Sequence, residues 1–482
     1  MREVQMLRNI KSGMFWTFLG TFTQTVLQVI LLVVMSRILT PQDFGIANLS
    51  LAIIAFLSIF SLMGIGPAVI QKQDLTNIQI KIAFFLSITF GLIIVTVLYF
   101  GSNLISSFFN TNELQNVIKI LTISVIIQSI IVVPESLLNR KLKFKYLATV
   151  QIFSYIGYFL FSIIFAMILG NYWAIVISYI MQNVIKFFFI IPKVQMDFKV
   201  PLVIRESREL LKFGIGISIS RIFNQVALQG DNFVVGKMLG STSLGNYSRA
   251  YQLISMPITI VNTAMDKVMF PILSKEQTND KLLKQFFIKM LTINVIISLC
   301  IIAFLLNLTD IFVLIVLGNQ WDTAIIAIKI LSLSILFRGG YKISDTILKS
   351  KGKVYVHANL QFFYATSVIT FTVIGSRWGI QGVSWGVFLS ILLNFIIVTS
   401  VCMKYLKVKI NSLFKGNLKL ISLFLFCELL FIITKSKIVF VNSSITSEFL
   451  LFIAVFGGFF YYCYWILIKN IKEINIIKVG DK

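Results

Sequence analysis

Residues Phe15 to Gly45 read FWTFLGTFTQTVLQVILLVVMSRILTPQDFG. No charge interrupts the run from Phe15 to Ser36, after which Arg37, a Thr-Pro step and Asp43 lead into a second apolar run. A helix needs about 20 such residues to cross about 30 Å of hydrocarbon. Backbone groups in lipid must be satisfied within the segment, so the run reads as a transmembrane helix. Its polar residues Thr17, Thr21, Gln24 and Gln28 recur at helical spacing and fall on one stripe.

The same pattern recurs along the chain. Of 482 residues, 57% are hydrophobic and 13% charged, whereas an ordinary soluble domain carries about 25% charged residues. Apolar runs fall at 14–37, 44–70, 80–100, 115–138, 146–169 and 172–191 in the first half. Further runs follow at 211–237, 245–272, 285–307, 324–348, 354–374 and 380–403, with a last pair at 417–434 and 447–468. The expected fold is an all-α polytopic membrane protein of about fourteen transmembrane helices. The first run is too long for a signal-peptide h-region, and no small-residue cleavage site follows it. Cys300, Cys402, Cys427 and Cys463 are scattered in apolar runs without metal-ligand spacing. Neither a disulfide framework nor a metal site is expected, and no cofactor.

The net charge of +24 resembles a nucleic-acid signature until its distribution is followed. Arg140, Lys141, Lys143 and Lys145 share one loop, and Lys193, Lys199, Arg205, Arg208 and Lys212 another. Lys275, Lys281 and Lys284, then Lys349, Lys351 and Lys353, then Lys404, Lys407, Lys409, Lys415 and Lys419 continue the series. All of these loops lie on one side if the helices alternate, while the opposite side holds only Arg37, Lys237, Arg249, Arg377, Lys435 and Lys437. The positive-inside rule makes the basic side cytoplasmic, with both termini there, and anionic membrane lipids the partners of the charge. Nucleic acid is not an expected partner.

A shift of about two hundred residues superposes MSRILTPQDFG (Met35 to Gly45) on VGKMLGSTSLG (Val235 to Gly245) without a gap. Arg37 then falls on Lys237, Leu39 on Leu239, Gly45 on Gly245, and Gln24 and Thr25 on Asn224 and Gln225. Two runs of six helices in parallel, pseudo-twofold repeat form a transporter architecture with the substrate site at the lobe interface. The expected division is an N-terminal six-helix lobe at 1–206, a C-terminal six-helix lobe at 207–403, and an extra helix pair with tail at 404–482.

The opening stretch, continued as IANLSLAI, together with LGNYSRAYQLISMPI and FPILSK in the second half, resembles the polysaccharide transporter (Wzx-type oligosaccharide flippase) family. That family belongs to the multidrug/oligosaccharidyl-lipid/polysaccharide exporter superfamily. The resemblance spans essentially the whole chain. It implies a bacterial inner-membrane protein that flips an undecaprenyl-diphosphate-linked oligosaccharide, such as an O-antigen or capsule repeat unit, to the outer leaflet. It also implies a V-shaped pair of lobes around a cationic cavity, and a working connection to the polysaccharide polymerase machinery.

An intramembrane charge costs at least about 2.5–3.5 kcal/mol on insertion scales, so each one asks for a reason. On the seventh run Gly214, Ser218, Arg221, Asn224, Gln225, Asp231 and Asn232 occupy about a third of the helix circumference. They read either as a cavity wall in which Arg221 meets the diphosphate, or as an Arg–Asp pair holding helices together. The resembled family commonly carries an acid at the place of Asp231, which is a candidate for ion coupling or for a structural pair. Thr21, Gln24 and Gln28 suit sugar contacts, or interhelical hydrogen bonds. The tenth run carries Arg338, Lys342 and Asp345 at i, i+4 and i+7, then Lys349. This is a ladder admitting an anion from the cytoplasm, with Asp345 a second coupling candidate, or else Lys342 and Lys349 snorkel to the interface with Asp345 neutralising one of them. Glu135 and the pair Asp266–Lys267 are expected at the interface, Glu428 against a neighbour or at the interface, and Lys329 near the outer interface. Pro67, Pro134 and Pro257 permit bends. The lone His357 suggests no triad or metal.

Two other classes compete with this reading. A membrane-embedded polysaccharide polymerase or ligase needs reactive side chains in a sizeable outer loop. The longest, at 307–323, is apolar with only Asp310 and Asp322 charged, and no P-loop occurs, so transport is favoured over enzymatic activity. A drug or ion-coupled exporter of the same superfamily is disfavoured by the excess of basic over acidic candidates.

Overall fold

Thr40 starts the second helix with a capping box: its hydroxyl accepts from the Asp43 N–H, and the Asp43 carboxylate accepts from the Thr40 N–H. Pro41 occupies the first helical position, where its missing N–H is harmless. Thr76 and Gln79 repeat the device two helices later. Apolar length propagates what such caps begin. The computed structural model describes residues 2–72, 74–194, 207–352, 354–438 and 445–479, and no strand occurs among them.

Two compact units, Met1–Ser248 and Arg249–Lys482, make up the chain. The first holds α1 (Arg2–Ile38), α2 (Pro41–Leu62), α3 (Ile65–Gln71), α4 (Asn77–Phe109), α5 (Glu113–Arg140), α6 (Phe144–Leu169), α7 (Trp173–Ile190) and most of α8 (Ser207–Ala264). In it α4 packs on α5, α6 on α7 and α1 on α6. The second holds the end of α8, then α9 (Phe270–Lys275), α10 (Asp280–Val316), α11 (Asp322–Ser332) and α12 (Ser334–Ser350). It ends with α13 (Val354–Gly375), α14 (Gly379–Leu406), α15 (Ile410–Ile438) and α16 (Ile445–Val479). Here α12 packs on α10 and α14, and the α15–α16 pair leans on α10.

The all-α polytopic expectation holds. Among the described residues, ten helical stretches are long and apolar enough to cross a membrane, or eleven if the bent pair α11–α12 counts as one. Exposed Phe100, Leu104, Met167, Ile168, Leu425 and Phe426 give these helices apolar outer surfaces, as lipid contact requires. α8 is not among the ten, because Asn224, Gln225, Asp231, Asn232 and Lys237 dilute its apolar character.

Several boundaries differ from the sequence expectation for identifiable reasons. The run 44–70 is two helices, broken at Met63 and Gly64, both in the left-handed region. Runs 211–237 and 245–272 are joined in α8, with a non-helical Gly240 at φ 82°. The expected loop 307–323 is helical through Val316, since its apolar residues extend α10 until Gly318 at φ 100° stops it. Run 324–348 bends by 45° at Leu333. On either side Ser332 and Ser334 donate to the carbonyls of Lys329 and Leu331, a back-bonding that bends helices.

Within the first unit the two segments superposed by the 200-residue shift meet. A Cβ at Gly45 would overlap the main-chain carbonyl of Ser241, and one at Gly245 that of Pro41. Asn48 Nδ2 donates to Ser248 Oγ at 2.7 Å. Each glycine admits the backbone that its counterpart's neighbour supplies, so the contact is reciprocal.

Candidate anion-binding site

The bend at Leu333 aims α12, whose faces differ sharply. One side is pinned: Asn294 Nδ2 donates to the Leu336 carbonyl at 2.9 Å, and Gly339 and Gly340 leave no room for a Cβ beside Asn294 and Phe395. The other side carries Arg338 and, one turn on, Lys342.

Arg338 Nη1 donates to the Tyr251 hydroxyl at 2.8 Å, and its guanidinium carbon lies 4.4 Å from the Tyr251 ring centre. Tyr341 and Tyr364, whose rings are 6.0 Å apart, are also near enough to act on it electrostatically. Among the described residues, the buried Arg338 Nε has no hydrogen-bond partner. Among them, too, the guanidinium is held by the Tyr251 phenol and pairs with no carboxylate. Cation–π contact of this kind gains strength when desolvated, and a fork of donors matches phosphate oxygens.

Lys342 Nζ lies 2.7 Å from Asp266 Oδ2. Asp345 does not neutralise Lys342. Its carboxylate, 6% exposed, binds Lys349 at 2.7 Å and His357 Nδ1 at 2.5 Å. The four-residue ladder is thus two clusters: Arg338 and Lys342 with Tyr251, Tyr341 and Asp266, and Asp345 with Lys349 and His357.

The candidates of the first unit are placed differently. Asp231, 2% exposed, accepts from the Tyr247 hydroxyl at 2.7 Å and from the Asn232 N–H at 2.9 Å. Gln24 accepts from Gln151 of α6 at 2.5 Å, and the Thr21 carbonyl accepts from Thr25. Gln28 and Gln225 are half-buried and Asn224 is exposed. The side chains of Arg221, Gly214 and Thr17, and Lys199, Arg205 and Lys353 of the basic loops, lie outside the described residues.

Several functional neighbours were not singled out from sequence. Tyr341 lies at i+3 from Arg338, so helical spacing alone could have included it. Tyr251, at 87 positions from Arg338, gives no such signal. Glu135 pairs with Lys186 across α5 and α7 at 2.9 Å, Lys329 with Asp310 at 2.8 Å, and Glu428 accepts from Asn307 at 3.0 and 3.1 Å.

The sequence profile of the polysaccharide biosynthesis protein family matches residues 34–326. The teichuronic acid biosynthesis protein TuaB of Bacillus subtilis is 24% identical over 419 residues, covering 86% of each chain. The lipopolysaccharide biosynthesis protein WzxC of Escherichia coli is 23% identical over 409 residues, covering 82% of this chain and 80% of that one. In fold, the chain is similar to the lipid II flippase MurJ in an inward closed conformation. The TM-score is 0.74 at 16% identity, covering 94% of this chain and 99% of the other.

Proposed function

The chain belongs to the polysaccharide biosynthesis protein family, and from that premise we propose that it carries a diphosphate-linked lipid oligosaccharide from the inner to the outer leaflet by alternating access. It is a multi-pass inner-membrane protein of a transport family, not an enzyme. The observation that carries the substrate reading is Arg338. A cation within a membrane span, as α11 and α12 form if the bent pair counts as one, costs about 2.5–3.5 kcal/mol on insertion scales, and a purely structural arginine would recover this by pairing with a carboxylate. Among the described residues, Arg338 instead rests on Tyr251, with its buried Nε unpartnered. Such a group receives an anion; a cationic drug would be repelled.

The finer parts of the reading come from the sequence. Arg221 is proposed as a further diphosphate anchor, and Thr21, Gln24, Gln28, Asn224 and Gln225 as residues that meet sugars. The chain crosses about fourteen times as two six-helix repeats at 1–206 and 207–403, with both termini cytoplasmic. It hands its product to the polymerase machinery. A diphosphate carries about two negative charges, each worth about 2.3 kcal/mol per 100 mV, so an inside-negative potential favours export by about 4.6 kcal/mol. No nucleotide is consumed. The test is flipping of a fluorescent lipid-linked oligosaccharide in proteoliposomes under an imposed potassium-diffusion potential. Rates should rise with inside-negative potential. Rates indifferent to the size and sign of the potential, with no response to any ion gradient, would overturn the mechanism.

A further inference from the structure

Asp266 lies in a one-turn π-helical segment, Met265–Met269, between Pro257 within α8 and Pro271 in the first turn of α9. Turns of this kind are rare and collect at functional sites, where one looser hydrogen bond per turn leaves the backbone able to shift. The segment packs on α12, and there Asp266 meets Lys342 at 2.7 Å with side-chain exposures of 53% and 13%. The cation is almost sequestered one turn from Arg338, while its counter-ion stands half exposed. Asp345 is already committed to Lys349 and His357. Of the two cations on this face of α12, Lys342 is thus balanced by a carboxylate and Arg338 is held by phenols.

We propose that Asp266 is the exchangeable counter-ion of the anion site. An incoming diphosphate takes Lys342 from Asp266, and the freed carboxylate takes up one monovalent cation, a proton or an alkali ion, so that anion and cation are bound together. A half-exposed ion pair is weak enough to be exchanged in this way. A bare carboxylate left beside a dianion is repelled by it and holds a cation more tightly than before. The π turn lets Asp266 move away without unwinding α8 or α9. Cation uptake at Asp266 thereby becomes linked to anion binding at Arg338 and Lys342, and the linkage is reciprocal. The inference rests on the diphosphate reading above.

The experiment titrates farnesyl diphosphate into the full-length protein in nanodiscs by calorimetry. One arm varies sodium, with choline holding ionic strength constant, and the other varies pH. The wild type should show a slope of about one in log affinity against log cation concentration, in the sodium arm or the proton arm according to which ion is taken up. Asp266→Asn should bind about fivefold more tightly, its Lys342 being free, and should lose that slope. Protonation of the ligand itself is common to both proteins and cancels in the comparison. Asp266→Glu should keep the slope. Lys342→Gln should bind more weakly and lose it, which serves as a second reading where Asp266→Asn does not assemble. A wild type that binds with no dependence on either cation overturns the exchange while leaving the diphosphate site standing. So does an Asp266→Asn protein with unchanged slope or weaker binding. A wild type that binds no diphosphate overturns both.

Discussion

Replacing Arg338 with alanine removes two separable contributions. One is the fork offered to phosphate: a hydrogen bond to a charged group contributes about 1.5–3 kcal/mol, and a guanidinium engages phosphate through two of them. Discounting for the water that refills the site, a loss on the order of 3 kcal/mol is expected, about 150-fold in anion affinity. The other is the stack on Tyr251, 4.4 Å from ring centre to guanidinium carbon, worth about 0.5–2 kcal/mol to the protein without substrate. Arg338→Ala should therefore flip a fluorescent lipid-linked oligosaccharide at about a hundredth of the wild-type rate, at matched protein density and subsaturating substrate. Its melting temperature should fall by only a few degrees. Arg338→Lys keeps the charge but neither fork nor stack, and should retain about a tenth of the rate. Tyr251→Phe keeps the ring and loses one hydrogen bond of about 1 kcal/mol, so its rate should fall by about fivefold at most. Flipping by intact Arg338→Ala protein within twofold of wild type would refute the anion-site reasoning. A Tyr251→Phe protein as impaired as Arg338→Ala would move the chemistry from the guanidinium to the phenol.

Three other outcomes are expected. Accessibility tags at 140–145, 350–353 and 405–416 and at both termini should report cytoplasm, and tags at 240–244 and 310–320 the outside; opposite orientations for the two halves would end the parallel-repeat argument. Gly45→Ala and Gly245→Ala should each lower the melting temperature, since an added Cβ collides with main chain and overpacking costs about 1–3 kcal/mol. Gly101→Ala, with nothing within 4 Å of its Cβ, should be neutral or stabilising, and equal effects at all three would discredit the close-approach explanation. Asn307→Leu should destabilise the protein in detergent by stranding Glu428, and adding Glu428→Gln should restore most of the loss; no rescue would show that the pair is not the cause.

The division between what was legible and what was not follows from the range of the interactions. Apolar length and the Thr40–Asp43 cap act within a few residues, so helical membrane character and most helix positions can be read from the chain alone. The 200-residue shift was legible because Gly45 and Gly245 each admit the other segment's backbone, leaving the same small residue at matching places. Arg338 and Lys342 were visible because a cation in an apolar run stands out against its neighbours. Their partners were not. Tyr251 and Asp266 lie on other elements: aromatic residues are common enough in membrane helices that nothing local marks Tyr251, and Asp266 stands out in sequence only as an interfacial charge, with no sign that it meets Lys342. Asp345 illustrates the limit, since i, i+4 spacing permits Lys349 as a partner and i−3 spacing permits Lys342. Only the bend at Leu333, the packing of Gly339 and Gly340, and the approach of His357 and of the π turn decide which carboxylate meets which cation. Charge on a helix is a property of sequence, but compensation of that charge is a property of what packs against it, because electrostatic pairing in a low-dielectric interior depends on separations of a few ångströms.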